Sequence, residues 1–346
     1  MGAIDVERML AALPGDGPCG AADLEYDPAY AEMSRLAIGK PAQEMGGQTI
    51  PGEEPDWKGV HAACLSLWER TRDLRVAVYL TRALVPLAGL EGLADGLALN
   101  RGLVERYWEP VYPRLDPGDH NDPTIRVNAL AALADREQML ATLRAVPLAS
   151  SRRLGRFGLR EVEIASGAIA RPANADNLPD AAGIEAAFMD TDAAELQASS
   201  DACARAAEQL AALDLALDSA VGSTAGADFE PLRSTLRSIH HVLAQQLARR
   251  GLASAAPAAE LGATAVAGGA TLMPGISGTI QNREDIVRML DQAIDWYARN
   301  EPSSPVPLLL SRAKSLTSKS FVDIVKDLTP SGFTEIQVIA GLDTSS

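Results

Sequence analysis

Residues 251–279, GLASAAPAAELGATAVAGGATLMPGISGT, divide this chain. The stretch is built from Ala, Gly, Pro and small polar residues, with Glu260 as its charged member. It carries neither a 3.6-residue nor a two-residue apolar period. A segment without a repeated apolar face cannot bury itself against a neighbour, so it reads as a flexible linker. Folding must therefore happen separately on its two sides.

Both sides read as helical. Apolar types make up 47% of the 346 residues and aromatics only 4%, with Ala and Leu prominent. Such side chains lose little on entering a helix. We expect an all-α fold of modular helical domains joined by linkers: 1–170, 182–250 and 280–346, with 172–181 as a further, proline-containing connection. Ile4, Val6, Met9, Leu10 and Leu13 have near-helical spacing and stop at Pro14-Gly15. A short helix is expected around 28–38, and 39–55 reads as an exposed loop because it holds several Gly and Pro and no apolar period. Asp56, Asp73 and Asp192 stand where helix N-caps belong, each ahead of an apolar-periodic run. The run after Asp73 (Leu74, Val76, Ala77, Leu80, Leu84, Leu87) is dense enough for a central core helix, and its pattern continues toward Pro110. Gly92, Gly96 and Gly102 inside it each cost about 1 kcal/mol against Ala, which points to close helix packing. At 151–171 the period breaks, and a short extended segment or hinge is expected.

The tail after the linker is small. Ile286, Met289, Trp296 and Tyr297 form one apolar stripe, Leu308 and Leu309 are expected to face inward on the next helix, and Phe321 opens a third. Below about 70–80 residues a single core rarely supplies more than about 3–5 kcal/mol, and natural small domains add disulfides, metal or partners. Residues 280–346 contain no Cys and no His. Self-association is the remaining staple, so this segment is expected to be the oligomerisation module, with Ile286, Met289, Trp296, Tyr297, Leu308, Leu309 and Phe321 as oligomer or core contacts.

The chemistry of catalysis is sparse. Cys19, Cys64 and Cys203 are scattered and make no CxxC, which argues against a disulfide framework and for a reducing cytoplasm. No signal peptide or membrane-spanning segment is read. His61 and Cys64 sit three apart, but structural zinc wants four N/S ligands and no second pair exists at that spacing. His240 and His241 are adjacent on a helix and diverge. The acidic run Asp23, Glu25, Asp27 and Glu32 lacks the glycine turn and closing Glu of a calcium loop. Asp116, Asp119 and Asp122 repeat loosely between prolines. No GxxxxGK[ST], GxSxG or GxGxxG is present. No cofactor or metal site is expected. With 46 acidic against 31 basic residues, net −15, the chain lacks the cationic excess of a nucleic-acid binder. Arg152, Arg153, Arg156 and Arg160 are the local exception, fitted either to an acidic partner or to an acidic surface of the same chain.

Several short motifs occur in a particular order: Pro14-Gly15-Asp16, Pro18-Cys19-Gly20, Leu24-Glu25-Tyr26-Asp27-Pro28, Glu54-Pro55-Asp56-Trp57, Thr71-Arg72-Asp73-Leu74-Arg75-Val76, Leu80-Thr81-Arg82-Ala83, Tyr107-Trp108, Tyr112-Pro113-Arg114-Leu115-Asp116 and Arg126-Val127-Asn128-Ala129-Leu130. Together they resemble the ImpA-type N-terminal domain of the TssA proteins of type VI secretion systems, over roughly 10–165. Asn282-Arg283-Glu284-Asp285, Glu301 through Pro307, and Arg312-Ala313-Lys314 resemble the tail of the shorter TssA proteins. The resemblance implies a cytoplasmic, non-enzymatic assembly factor. It would form a homo-oligomeric ring and bind tail tube, sheath and baseplate proteins, with no nucleic acid and no membrane insertion. Two other readings remain open on the residues alone. One is a monomeric or dimeric helical adaptor. The other is a metal-dependent hydrolase using the Asp23–Glu32 loop with His61.

Overall fold

The computed structural model describes residues 2–252, apart from 16, 40–42, 46–47, 51, 53, 172–179 and 223–225, and in the tail residues 287, 290, 291, 294 and 305–317. The chain divides into two compact units, 1–257 and 258–346.

Aspartates start most helices of the first unit. α1 (Val6–Met9), α2 (Pro28–Leu36), α3 (Trp57–Trp68) and α4 (Leu74–Tyr107) have Asp5, Asp27, Asp56 and Asp73 as N-caps, each carboxylate accepting from a first-turn N–H. Such a cap satisfies a donor that the helix itself leaves unpaired, worth about 1 kcal/mol. The same device opens α8 (Ala181–Asp190) at Asp180 and α9 (Ala193–Val221) at Asp192. α5 (Thr124–Ala131) and α6 (Met139–Ala145) are shorter, and α7 (Leu159–Ala165) is closed by Glu161, whose carboxylate accepts from the Gly158 N–H. α10 (Glu230–Arg249) ends the first unit.

α4 is a helical hairpin. Gly89 has φ 62° and ψ −141°, a conformation L side chains rarely adopt, and the chain doubles back there. The Asn100 side-chain amide donates to the Thr81 hydroxyl at 2.9 Å; nineteen residues of straight helix would separate them by about 28 Å. The arms touch through glycine. A Cβ on Gly92 would lie 2.4 Å from the Leu84 carbonyl oxygen, one on Gly96 would meet Thr81, and one on Gly102 would meet Leu10. α4 is the one described helix long and apolar enough to cross a membrane. Its hydropathy is accounted for by the core: Leu74, Leu80, Leu93, Leu97, Leu99 and Leu103 are all fully buried. α3 and α9 both pack against this hairpin, and α10 packs against α9.

The all-α expectation is corrected. The protein is mostly helical but contains two antiparallel strand pairs among the described residues. β1 (Gln43–Met45) pairs with β2 (Gln48–Ile50) inside the stretch expected to be loop. β3 (Pro147–Ser151) pairs with β4 (Gly155–Gly158) where a short extended segment or hinge was expected, and residues 159–165 follow as helix. The second hairpin forms because Leu148, Ala149 and Phe157 turn inward, while Gly155, at φ 104°, supplies the turn geometry. Its strands are short and interrupted by a register shift between Pro147 and Ala149, so no clean two-residue apolar period marks them in the sequence.

In the second unit, α11 (Val306–Thr317) is the described helix, and the Lys314 ammonium pairs with Asp291. Leu308 and Leu309 do not face inward: they are 76% and 66% exposed.

Candidate interaction surfaces

Most of the ordered motifs in the N-terminal third converge on one junction. The segment before α2 lies against the start of α4, and Arg75 holds it there. Its guanidinium contacts Asp23 at 2.6 Å, Glu25 at 2.9 Å and the fully buried carboxylate of Asp73 at 2.7 Å, and it lies 5.3 Å from the centre of the Tyr30 ring. Burial pulls the Arg75 pKa down, but its hydrogen bonds and attraction to Asp73 outweigh that, so the net shift is upward. Arg70 pairs with Asp27 at 2.7 Å, holding that carboxyl below the usual range, and Arg35 pairs with Glu32. All four carboxylates of the expected acidic cluster are thus engaged by arginines of their own chain. Among the described residues no group of three or more His, Cys, Asp or Glu side chains could hold a metal ion.

Arg72 performs the same task with carbonyls. Its guanidinium donates to Ala11 O at 2.9 Å and Thr71 O at 3.1 Å, and it lies 5.1 Å from the Trp68 ring centre. The indole N–H of Trp68 donates to Met9 O at 2.9 Å, and the Tyr107 hydroxyl donates to Leu10 O at 2.7 Å. Arg126 is fully buried and donates to Pro113 O at 2.7 Å, Val111 O at 2.8 Å and Trp108 O. Burial lowers its pKa to about 10, despite an attraction to Glu109 that acts the other way. Arg75 and Arg126 were legible only as parts of a motif. That each is the centre of a polar cluster depends on chain segments up to 52 residues apart.

The other chemical candidates do not meet. Cys64 is buried with its thiol directed at the Met33 sulfur, 3.4 Å away, while His61 is on a more exposed part of the same helix. Burial raises all three thiols, Cys19 to about 11 and Cys203 to about 12, which suppresses the nucleophilic thiolate. His240 and His241 are exposed on α10. Asp116 and Asp122 turn back onto the N–H groups of Gly118 and Thr124, and Asp119 is exposed.

Two surfaces of the first unit remain. A groove of about 830 Å³ opens beside the α4 turn, walled by Ile38, Trp57, Leu87, Arg82, Glu137 and Glu195. The second is the β3–β4 hairpin. Arg152, Arg153, Arg156 and Arg160 are all exposed there, and none makes an ion pair with a described residue of its own chain. In the tail, Leu308 and Leu309 are exposed; Ile286, Met289, Trp296, Tyr297 and Phe321 lie outside the described residues.

The N-terminal part of the chain has counterparts in known proteins. The sequence pattern of the N-terminal region of ImpA, from type VI secretion systems, matches residues 10–135, which covers the N-terminal segment, α2, α3, the α4 hairpin and α5. A solved N-terminal domain of the TssA component of the type VI secretion system from Burkholderia cenocepacia, which includes the conserved ImpA_N region, superposes with a TM-score of 0.59. It covers 71% of this chain and 95% of that one at 23% identity, a likeness of fold. The type VI secretion system component TssA1 of Pseudomonas aeruginosa is 43% identical over 344 residues, 98% of each chain. The chain belongs to the TssA family of type VI secretion system components.

Proposed function

We propose that this chain is a non-enzymatic assembly component of a type VI secretion system, acting in the cytoplasm without cofactor. In this reading residues 280–346 associate into a homo-oligomeric ring, with Ile286, Met289, Trp296, Tyr297, Leu308, Leu309 and Phe321 supplying ring or core contacts. Residues 251–279 tether the compact unit that contains 1–170 and 182–250 as an arm. The partners are tail tube, sheath and baseplate proteins. The observation that carries the reading is the likeness to TssA1 along nearly the whole chain, tail included. Two features support it. Leu308 and Leu309 are exposed side by side on α11, apolar surface that a sister chain would cover. The residues that most suggested catalysis, Asp23, Glu25, Asp27 and Glu32, are each held by an arginine. Joining several arms to one ring raises the local concentration of weak binding sites facing a repetitive tail, so modest single contacts add up to avidity.

Size-exclusion chromatography with light scattering on the full chain tests this. A closed oligomer at micromolar concentration is the expected result, and removal of 252–346 should return it to monomer. A monomeric full chain contradicts the ring. Tail assembly that survives the deletion favours a single-partner adaptor.

A further inference from the structure

In a chain with net charge −15, exposed arginines have many carboxylates to pair with. Arg35, Arg70, Arg106, Arg205, Arg237 and Arg249 each do so. Arg8, Arg114 and Arg136 stand singly without a described ion pair, whereas the β3–β4 hairpin gathers four such arginines in one place. Ser151 pairs with Gly155 and Ser150 with Arg156 across the strands, leaving residues 152–154 as the tip. Phe157 and Ala149 are buried, so strand alternation directs Arg156 outward, and Arg152 is exposed where the tip begins. Arg153 adjoins at the tip, and Arg160 is exposed in the first turn of α7. Three nearby carboxylates are otherwise engaged, while Arg156 also borders the groove that holds Glu137 and Glu195. Asp190 accepts from the Ser151 hydroxyl at 2.7 Å, Glu161 from the Gly158 N–H at 2.9 Å, and Glu163 pairs with Arg144.

The hairpin is also held in place. The Ser151 oxygen accepts the N–H groups of Arg153 at 3.2 Å and Leu154 at 3.0 Å, which fixes the tip. The Ser150 N–H donates to the Thr191 hydroxyl at 2.9 Å, which ties the hairpin to the end of α8. Leu154 stands 39% exposed at the apex among the arginines. A pre-ordered backbone loses less entropy when its side chains are engaged.

We propose that this arginine hairpin is a docking surface for an acidic, leucine-bearing segment of a partner protein. Guanidinium forks match carboxylates two bonds at a time, and the four cationic residues are all Arg, the type enriched at protein interfaces, where Lys is depleted. The apolar Leu154 gives such a segment a side chain to cover, which a phosphate backbone does not need. Electrostatics select the same class. A polyanion longer than the Debye length, about 8 Å at physiological ionic strength, meets the net negative field of the rest of the chain, whereas a short acidic segment feels mainly the hairpin. The surface is assigned by its own chemistry, whatever the oligomeric state of the tail.

The test uses the full chain and a fluorescein-labelled peptide of repeating Glu-Glu-Leu, read by anisotropy at low and at physiological salt. Wild type should bind, more weakly as salt rises. The variant Arg152→Glu/Arg153→Glu/Arg156→Glu/Arg160→Glu, with unchanged far-UV circular dichroism, should weaken binding at least about tenfold, close to 1.4 kcal/mol. Lysine at the same positions should retain part of the affinity, and Leu154→Ser should weaken binding of this peptide but not of its Glu-Glu-Ser analogue. Reversing Arg8, Lys58 and Arg136, exposed cations elsewhere on the first unit, should leave it nearly unchanged. The proposal is overturned if the peptide does not bind at low salt, or if the hairpin and control reversals act alike. It is equally overturned if single-stranded DNA or phosphatidylglycerol vesicles bind the hairpin more tightly than the peptide, or if the hairpin reversals change only the mass of the oligomer.

Discussion

Replacing Arg75 with Met should be the most costly single change at the N-terminal junction, and the structure says why. Of the carboxylates it touches, those of Asp23 and Glu25 are 37% and 47% exposed, and such pairs are worth about 0–1 kcal/mol each. Asp73 is different, since its side chain is fully buried. Without the guanidinium it keeps the backbone N–H of residue 75 as a partner but loses its counter-charge. Breaking a buried pair from one side costs about 3–5 kcal/mol. Asp73→Asn should relieve this, because an amide oxygen can still cap α4 while carrying no charge. The double variant Asp73→Asn/Arg75→Met is therefore expected to recover about 2 kcal/mol of the loss, within the range measured for residues in contact. Urea unfolding of residues 1–257, followed by far-UV circular dichroism, measures all four corners of the cycle. Amide exchange over residues 17–27 reports whether the N-terminal segment has come loose. A loss under about 1 kcal/mol for Arg75→Met, or simple additivity in the cycle, refutes the argument that the buried carboxylate governs the cost.

Three further outcomes are expected. Gly92→Ala should destabilise by about 1–3 kcal/mol, because the new Cβ meets the Leu84 carbonyl, although helix propensity alone predicts a gain of about 1 kcal/mol; the sign of the change in urea midpoint separates the two. Arg126→Met should cost at least about 3 kcal/mol, since the carbonyls of Trp108, Val111 and Pro113 lose their donor at about 1–3 kcal/mol each while the relieved burial of a cation offsets part; a thermal melt unchanged from wild type contradicts this. The thiols set an alkaline limit. Their folded pKa values lie above the ordinary 9, so the folded state holds protons that the unfolded state releases, and the stability present below pH 9 should fall as pH rises toward 11–12. Urea midpoints for wild type and Cys19→Ala/Cys203→Ala across pH 8–11 check it, and parallel curves count against it.

The sequence by itself determined what local chemistry can determine. An Asp placed just ahead of an apolar repeat marks a capped helix, so Asp56, Asp73 and Asp192 start helices as their positions predict. The glycines in α4 were legible as packing sites because their helix cost demands compensation. The order of short motifs named the family, although it could not say what the motifs do. Tertiary structure alone decided that α4 turns back at Gly89, that residues 147–158 pair as strands, and that the acidic loop is neutralised by Arg75 and Arg70 while the Arg152–Arg160 cluster faces solvent. The physical reason is the range of the interactions. Capping and periodicity act within a turn or two of chain, but which carboxylate meets which guanidinium depends on where distant segments are brought together, and no spacing along the chain records that distance.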